Sequence, residues 1–306
     1  MARTTPDRMT RAIRRHWREW LTFLAFVTPN FALFIAFTYW PIVHTVYLSF
    51  HQWNLLAPEP EWVGLANYVD LLGGAEFWRV TFNTIAYAVV VVVVAQTCAF
   101  LLAILLNAPL RGRALFRTIA FLPHVTATAA AALVWVVLLH PRFGPLASAY
   151  SALGVEGPNF LSSTVLALVA VMAVGIWREI GFATLFFLAG LQSLPTETYE
   201  SAAIDGAPPW TRVRHITVPL LSPVIFFLLV SGFIAALKAF DLVAIMTEGG
   251  PVYPSSSVYV YHLYKLAFRD FQSGVASAFA IIFFAATVVF TAIQFRAAAR
   301  WVHYEN

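Results

Sequence analysis

Six stretches of this 306-residue chain are long and apolar enough to cross a lipid bilayer: roughly residues 21–43, 80–106, 118–139, 163–188, 220–246 and 273–295. A bilayer's hydrocarbon core is about 30 Å thick, which a helix spans with about 20 apolar residues. No water reaches that core, so each segment must satisfy its own backbone hydrogen bonds, and runs of this length do so as helices. Pro29, Pro41, Pro123 and Pro223 fall in or near these stretches, where membrane helices tolerate kinks. Composition agrees: 60% of residues are hydrophobic and 11% charged, against about 25% charged in soluble domains. The expected fold is all-α and polytopic, with about six transmembrane helices.

Charge orients the spans. Basic residues gather on the cytoplasmic side of membrane proteins. One alternate set of connections holds thirteen: Arg3, Arg8, Arg11, Arg14, Arg15, Arg18, Arg111, Arg113, Arg117, Arg212, Arg214, Arg296 and Arg300. The opposite set holds four: Arg79, Arg142, Lys265 and Arg269. Both termini are therefore expected in the cytoplasm, with the longer connections, about 45–79, 140–162 and 247–272, facing outward. A basic tail over residues 1–19 precedes the membrane domain of 20–306. Its arginines resemble a signal sequence, but the apolar run is too long and lacks a small-residue cleavage site, so it reads as an uncleaved anchor. A sequence pI near 9.3 raises nucleic acid as a partner. The basic residues flank apolar runs, however, and act as topology signals, leaving the lipid bilayer as the partner they address.

The most distinctive segment is polar and lies between two apolar spans: YESAAIDGAPPWTRVRHITVPLLSP, residues 199–223, within a loop of about 195–219. Pro195 and Thr196 offer a helix start, and Glu197 and Glu200 sit early, where the helix dipole favours negative charge. Ala202 and Gly206 are four apart and would share a smooth face. Gly206 ends the first helix and Pro208-Pro209 begin a second at a new angle. The result is a helix-bend-helix elbow suited to close approach by another protein.

No catalytic or metal site is legible. A GxxxxGK[ST] phosphate loop is missing, and neither Lys follows a Gly. The eight His form no HExxH set, no GxSxG elbow is present, and the single Cys98 allows neither an internal disulfide nor a thiolate cluster. Within the spans, Arg178 and Glu179 need pairing or water, because a charge at the bilayer centre costs about 3 kcal/mol on insertion scales. They are either a structural contact near the cytoplasmic third of their helix or part of a solute path or gate. Lys238 and Asp241, three apart, either pair on one helix face or line that path. Asn83, Gln96 and Asn107 are expected to bridge helices. Tyr39, Trp40, Tyr87 and Trp135 are anchors, packing residues or stacking platforms for a sugar. Gly249, Gly250 and Pro251 mark a tight outer turn.

The elbow resembles the loop shared by membrane-spanning subunits of binding-protein-dependent ABC importers, approximately E-A-A-x-x-x-D/G-G. Glu200, Ala202, Asp205, Gly206 and Ala207 match; Ser201 replaces the usual second Ala, and Val213 stands where many members have Phe. The resemblance continues in VYLSFHQWN (46–54), WVGLANYVDLL (62–72), FDLVAIMTEGGP (240–251) and SGVASAFA (273–280), which are similar to the carbohydrate-uptake branch. The tail TAIQFRAAARWVHYE (291–305) is similar to that of glycerol-3-phosphate permeases.

The resemblance implies a permease subunit in a bacterial or archaeal plasma membrane. A second homologous permease subunit, two ATPase subunits and an extracytoplasmic solute-binding protein would be its partners. It also implies that Glu200, Ser201, Ala202, Asp205, Gly206 and Ala207 meet an ATPase, which alone binds ATP and Mg, so this chain needs no cofactor. Gly249, Gly250 and Pro251 would lie near the docked binding protein. A secondary transporter is the alternative; the inverted repeats and broken midplane helices common in that class are not visible in the sequence.

Overall fold

A computed structural model describes residues 7–54, 56–108 and 112–302, with side chains of residues 7–16 and 18 left out. Arg3 and Arg111 thus lie outside the described residues, as do the side chains of Arg8, Arg11, Arg14, Arg15 and Arg18. Among the described residues the fold is all-α, with one hairpin of two-residue strands. Helix α1 (Asp7–Phe34) begins inside the basic segment and continues through a π-helical turn (Ile35–Tyr39) into α2 (Trp40–Ser49). This first span, Glu19–Ser49, is covered nowhere by its own chain in its most apolar part and meets the rest mainly where α2 packs on the last helix.

Outside the membrane, strands β1 (His51–Gln52) and β2 (Glu61–Trp62) pair antiparallel, followed by α3 (Ala66–Gly73). The second span is α4 (Ala75–Asn107), the fourth α8 (Leu166–Ser193) and the last α15 (Ser273–Trp301). Helices α4 and α8 form the central pair. Ala95, Ala99 and Ala103 are buried at fourfold spacing on α4, the small-residue stripe that lets membrane helices approach. Gly175 on α8 meets Tyr87 so closely that an added methyl would lie 2.6 Å from its hydroxyl.

The other two spans are broken. Sequence reading expected one helix over 118–139. Instead α5 (Arg113–Val125) and α6 (Thr128–Leu138) meet at 99°. Pro123 removes a helical hydrogen bond there, and Thr126 and Ala127 are extended. The expected helix over 220–246 also divides. Helix α10 (Pro209–Arg212), a π-helical turn (Val213–Thr217) and α11 (Val218–Leu220) meet α12 (Ser222–Leu237) at a 67° bend at Leu221. A separate short helix, α13 (Asp241–Met246), then follows α12. Counting each bent pair as one span gives six among the described residues. The broken helices that the sequence did not disclose are thus present in this chain.

Short helices α7 (Pro145–Ala152) and α14 (Tyr259–Tyr264) lie in connections, with α9 (Thr196–Ile204) in the elbow. Three apolar clusters order the interior. One joins Phe77 and Val80 to Tyr259 and Phe279. The second surrounds Tyr87, Val171, Val243 and Tyr261. The third packs Ala99 and Ala103 against Phe187, Leu221 and Leu228.

Candidate functional site

The elbow folds largely as its residues dictate. Helix α9 starts at Thr196 after extended Pro195, with Glu197 in its first turn; Glu200 lies further along. Its end is a Schellman cap: the Ala207 amide donates to the Ala202 carbonyl at 3.0 Å and the Gly206 amide to that of Ala203 at 3.1 Å. Gly206 takes φ +71°, the left-handed conformation glycine adopts without strain. It therefore lies beyond the helix and shares no helical face with Ala202. Arg212 Nε donates to the Ala207 carbonyl at 2.7 Å, and Tyr199 and Thr217 hydroxyls lie 2.9 Å apart, tying both arms together.

Glu200, Ser201, Asp205 and Gly206 are exposed, while Ala202 and Ala207 are half-buried. Sequence reasoning overlooked two flanking apolar side chains, Ile204 at 87% exposure and Trp210 at 71%. The available signal was an isolated apolar residue on each side of the Asp-Gly bend.

A second constellation lies inside the membrane region. Arg178, Glu179, Lys238 and Asp241 line one cavity of about 190 Å³, together with Tyr87 and Gly175. Arg178 sits near the middle of the 28-residue α8, rather than in its cytoplasmic third. Its Nη2 donates at 3.2 Å to the Thr126 carbonyl, which belongs to the break between α5 and α6. The guanidinium thereby satisfies backbone exposed by the 99° bend.

Lys238 caps α12 and Asp241 opens α13, with Phe240 outside helical geometry between them. The expected pairing on one helix face is therefore removed by the break, and no ion pair within 4.0 Å joins them among the described residues. Two cations and two carboxylates around one cavity give a solute polar partners of either sign.

The outer turn is built on backbone conformation. Glu248, Gly249 and Gly250 all have positive φ, at 48°, 85° and 112°. A methyl on Gly250 would meet the Ser255 hydroxyl at 2.1 Å. Gly249 is buried against Tyr253 and Tyr261, so it shapes the turn and offers no docking surface; Pro251 is exposed and Gly250 half-buried. Asn83 holds this region to α4, its Nδ2 donating to the carbonyls of Pro254, Ser255 and Ser257 at 2.9, 3.2 and 3.2 Å. It bridges a helix to a loop where helix-to-helix bridging was expected.

Nearby, the buried His262 Nδ1 meets the Tyr253 hydroxyl at 2.5 Å, and Glu76 Oε1 lies 3.5 Å away. Burial, then the neighbouring Lys265, pull the His262 pKa down to about 4. The ring is neutral at pH 7, and the Glu76 contact is polar rather than an ion pair.

An all-α polytopic chain with a capped elbow between two spans and a charged intramembrane cavity has the build of a transport subunit. Residues 97–303 match the family described as binding-protein-dependent transport system inner membrane component, and the chain belongs to that family. It is 33% identical over 272 residues to the trehalose/maltose transport system permease protein MalF of Thermococcus litoralis, covering 88% of this chain and 91% of that one. It is 32% identical to the sn-glycerol-3-phosphate transport system permease protein UgpA of Yersinia pestis, covering 94% and 97%.

Among solved structures, a bacterial ABC transporter involved in import of the acidic polysaccharide alginate superposes with a TM-score of 0.82 at 25% identity, covering 95% of this chain and 99% of that one. A bacterial alginate ABC transporter in complex with an alginate pentasaccharide-bound periplasmic protein shares the fold at TM-score 0.82 and 24% identity, covering 94% and 96%. None of these likenesses supports the secondary-transporter alternative.

Proposed function

We propose that this chain is the permease subunit of an ATP-driven ABC importer, moving a sugar or a glycerol-3-phosphate- or glycerophosphodiester-like solute into the cytoplasm. The named functions of its relatives support that solute range. A second homologous permease completes the path, and an extracytoplasmic solute-binding protein delivers the solute. Two ATPase subunits hydrolyse ATP with Mg, so this subunit is not itself an enzyme and holds no cofactor. It lies in the plasma membrane with both termini cytoplasmic, a basic tail at 1–19 and the permease domain at 20–306.

The observation that carries this reading is the elbow. Glu200, Ser201, Asp205 and Gly206 are exposed around a fixed bend, and Ile204 and Trp210 project beside them. Exposed apolar side chains rimmed by polar ones mark protein contact surfaces. Ala202 and Ala207 keep the underside close-packed. Force from the ATPase enters here and passes through α10 and α11 into the bend at Leu221 and on to α12.

Arg178, Glu179, Lys238 and Asp241 line or gate the solute path, since ionisable groups at membrane depth pair or face water. Pro251 and the half-buried Gly250 meet the binding protein.

Reconstituting the subunit with its partners in vesicles tests this. Gly206→Leu forces a branched side chain into left-handed backbone, at about 1–2 kcal/mol, and Ile204→Asp puts a charge on the apolar contact. Each is expected to lower ATP-driven uptake of whichever solute, maltose or glycerol-3-phosphate, the unmodified assembly imports at least about tenfold while the subunit still inserts. Uptake at the unmodified rate in both variants would refute docking at the elbow.

A further inference from the structure

A separate pocket of about 320 Å³ lies on the outer face, where β1, α3 and the start of α15 meet. Trp53 lines it, and its indole is fixed by donation from Nε1 to the Ala57 carbonyl at 3.0 Å. Phe271, also in the lining, holds φ +55°. That left-handed conformation is uncommon for an aromatic residue, and such outliers gather at ligand sites.

Asn67 is only 5% exposed. Its Nδ2 donates to the carbonyls of Ser49 at 2.9 Å and His51 at 3.0 Å. Its Oδ1 accepts no hydrogen bond among the described residues, and Asn67 is part of the pocket lining. Asp70 is exposed and engages no partner among the described residues, whereas Asp270 Oδ2 is held by Lys265 at 2.6 Å. The lining contains no Lys, Arg or His.

We propose that this pocket binds a neutral, hydroxyl-rich ring, a saccharide unit, on the outer side of the membrane. Sugar hydroxyls donate to the Asp70 carboxylate and Asn67 Oδ1 and accept from the Gln272 amide, while the apolar C–H face of the ring packs on Trp53. The Asp70 carboxylate, unpaired by any cation among the described residues, repels a phosphate, while the charge of Asp270 is answered by Lys265. A quaternary ammonium would suit the aromatic rings but would leave the amide donor unanswered. The inference rests on the importer reading and narrows its solute class toward unphosphorylated sugars.

The test uses the full chain in lipid nanodiscs, with maltose as probe and glycerol-3-phosphate and choline as comparators. Saturation-transfer NMR and tryptophan fluorescence report binding. Saturable maltose binding is expected, without binding of either comparator. Asp70→Ala is expected to weaken it about tenfold, as loss of a hydrogen bond to a charged group does, and Gln272→Ala about threefold, while Glu156→Gln, an exposed carboxylate that lines neither cavity, leaves it unchanged. The proposal is overturned by an absence of saturable maltose binding, by choline binding more tightly, or by loss only in Asp241→Asn, which would put the sugar in the intramembrane cavity. ATP-driven uptake by the assembled importer is measured alongside. Maltose uptake without outer-pocket binding refutes this pocket alone, while uptake of neither maltose nor glycerol-3-phosphate refutes the importer reading.

Discussion

Asn83→Ala is expected to release the outer loop from the second span. The side chain is 2% exposed, and its amide nitrogen serves three carbonyls of one loop. An amide nitrogen carries two protons, so the three contacts amount to about two full hydrogen bonds, one of them shared. Two of the acceptors belong to buried residues, Ser255 and Ser257, and the third to the half-buried Pro254. Leaving a buried acceptor unmade costs about 1–3 kcal/mol, so the loss here is about 3 kcal/mol. Since 1.4 kcal/mol is a factor of ten, local opening should become roughly 100-fold more frequent. Hydrogen exchange at the amides of Ser255, Ser256 and Ser257 reads this directly, because each amide is bonded within the same loop. Asn83→Asp provides the chemical control. It keeps the shape of the side chain but replaces two donors with acceptors facing carbonyls, so it should be at least as damaging. Exchange within threefold of the unmodified protein in Asn83→Ala, or full protection in Asn83→Asp, would refute the donor argument.

Three further outcomes are expected. Gly274→Ala should detach the outer hairpin, because the new methyl would lie 1.9 Å from the His51 carbonyl oxygen and backbone must move; a cost of about 3 kcal/mol is expected from overpacking, read as faster proteolysis between residues 50 and 65. Gly181→Ala should push α5 from α8, since its methyl would lie 2.1 Å from the Ala120 carbonyl oxygen; a lowered melting temperature of the detergent-solubilised chain checks it. His262 should make stability fall on acidification. Its folded pKa of about 4 lies below the unfolded 6.5, so the unfolded state binds the proton first. The stabilisation is complete above pH 6.5, is lost between pH 6.5 and 4 to a total of about 3 kcal/mol, and His262→Gln should flatten that slope in denaturation scans.

Much of the molecule was legible in its residues. Apolar run length alone announces the spans, because a bilayer admits few alternatives to helices. The elbow was equally readable: Pro195, Gly206 and Pro208-Pro209 act through local backbone geometry, which neighbours in sequence determine. Its exposed Ile204 and Trp210 were not, since exposure depends on what packs around the bend.

Tertiary structure decided the rest. The 99° break and the division of the fifth span are favourable only because other helices and side chains take up the freed backbone groups, as Arg178 does for Thr126. The interruption between α12 and α13 separates Lys238 from Asp241, and both line one cavity with Arg178 and Glu179. Residues 60 positions apart share it because α8 and α12 fold back against each other, a long-range packing outcome that no local pattern encodes. Sequence alone thus determined a bilayer-spanning helical chain with a preformed elbow, through local hydrogen bonding and hydropathy, while contacts distant along the chain determined where its charges meet.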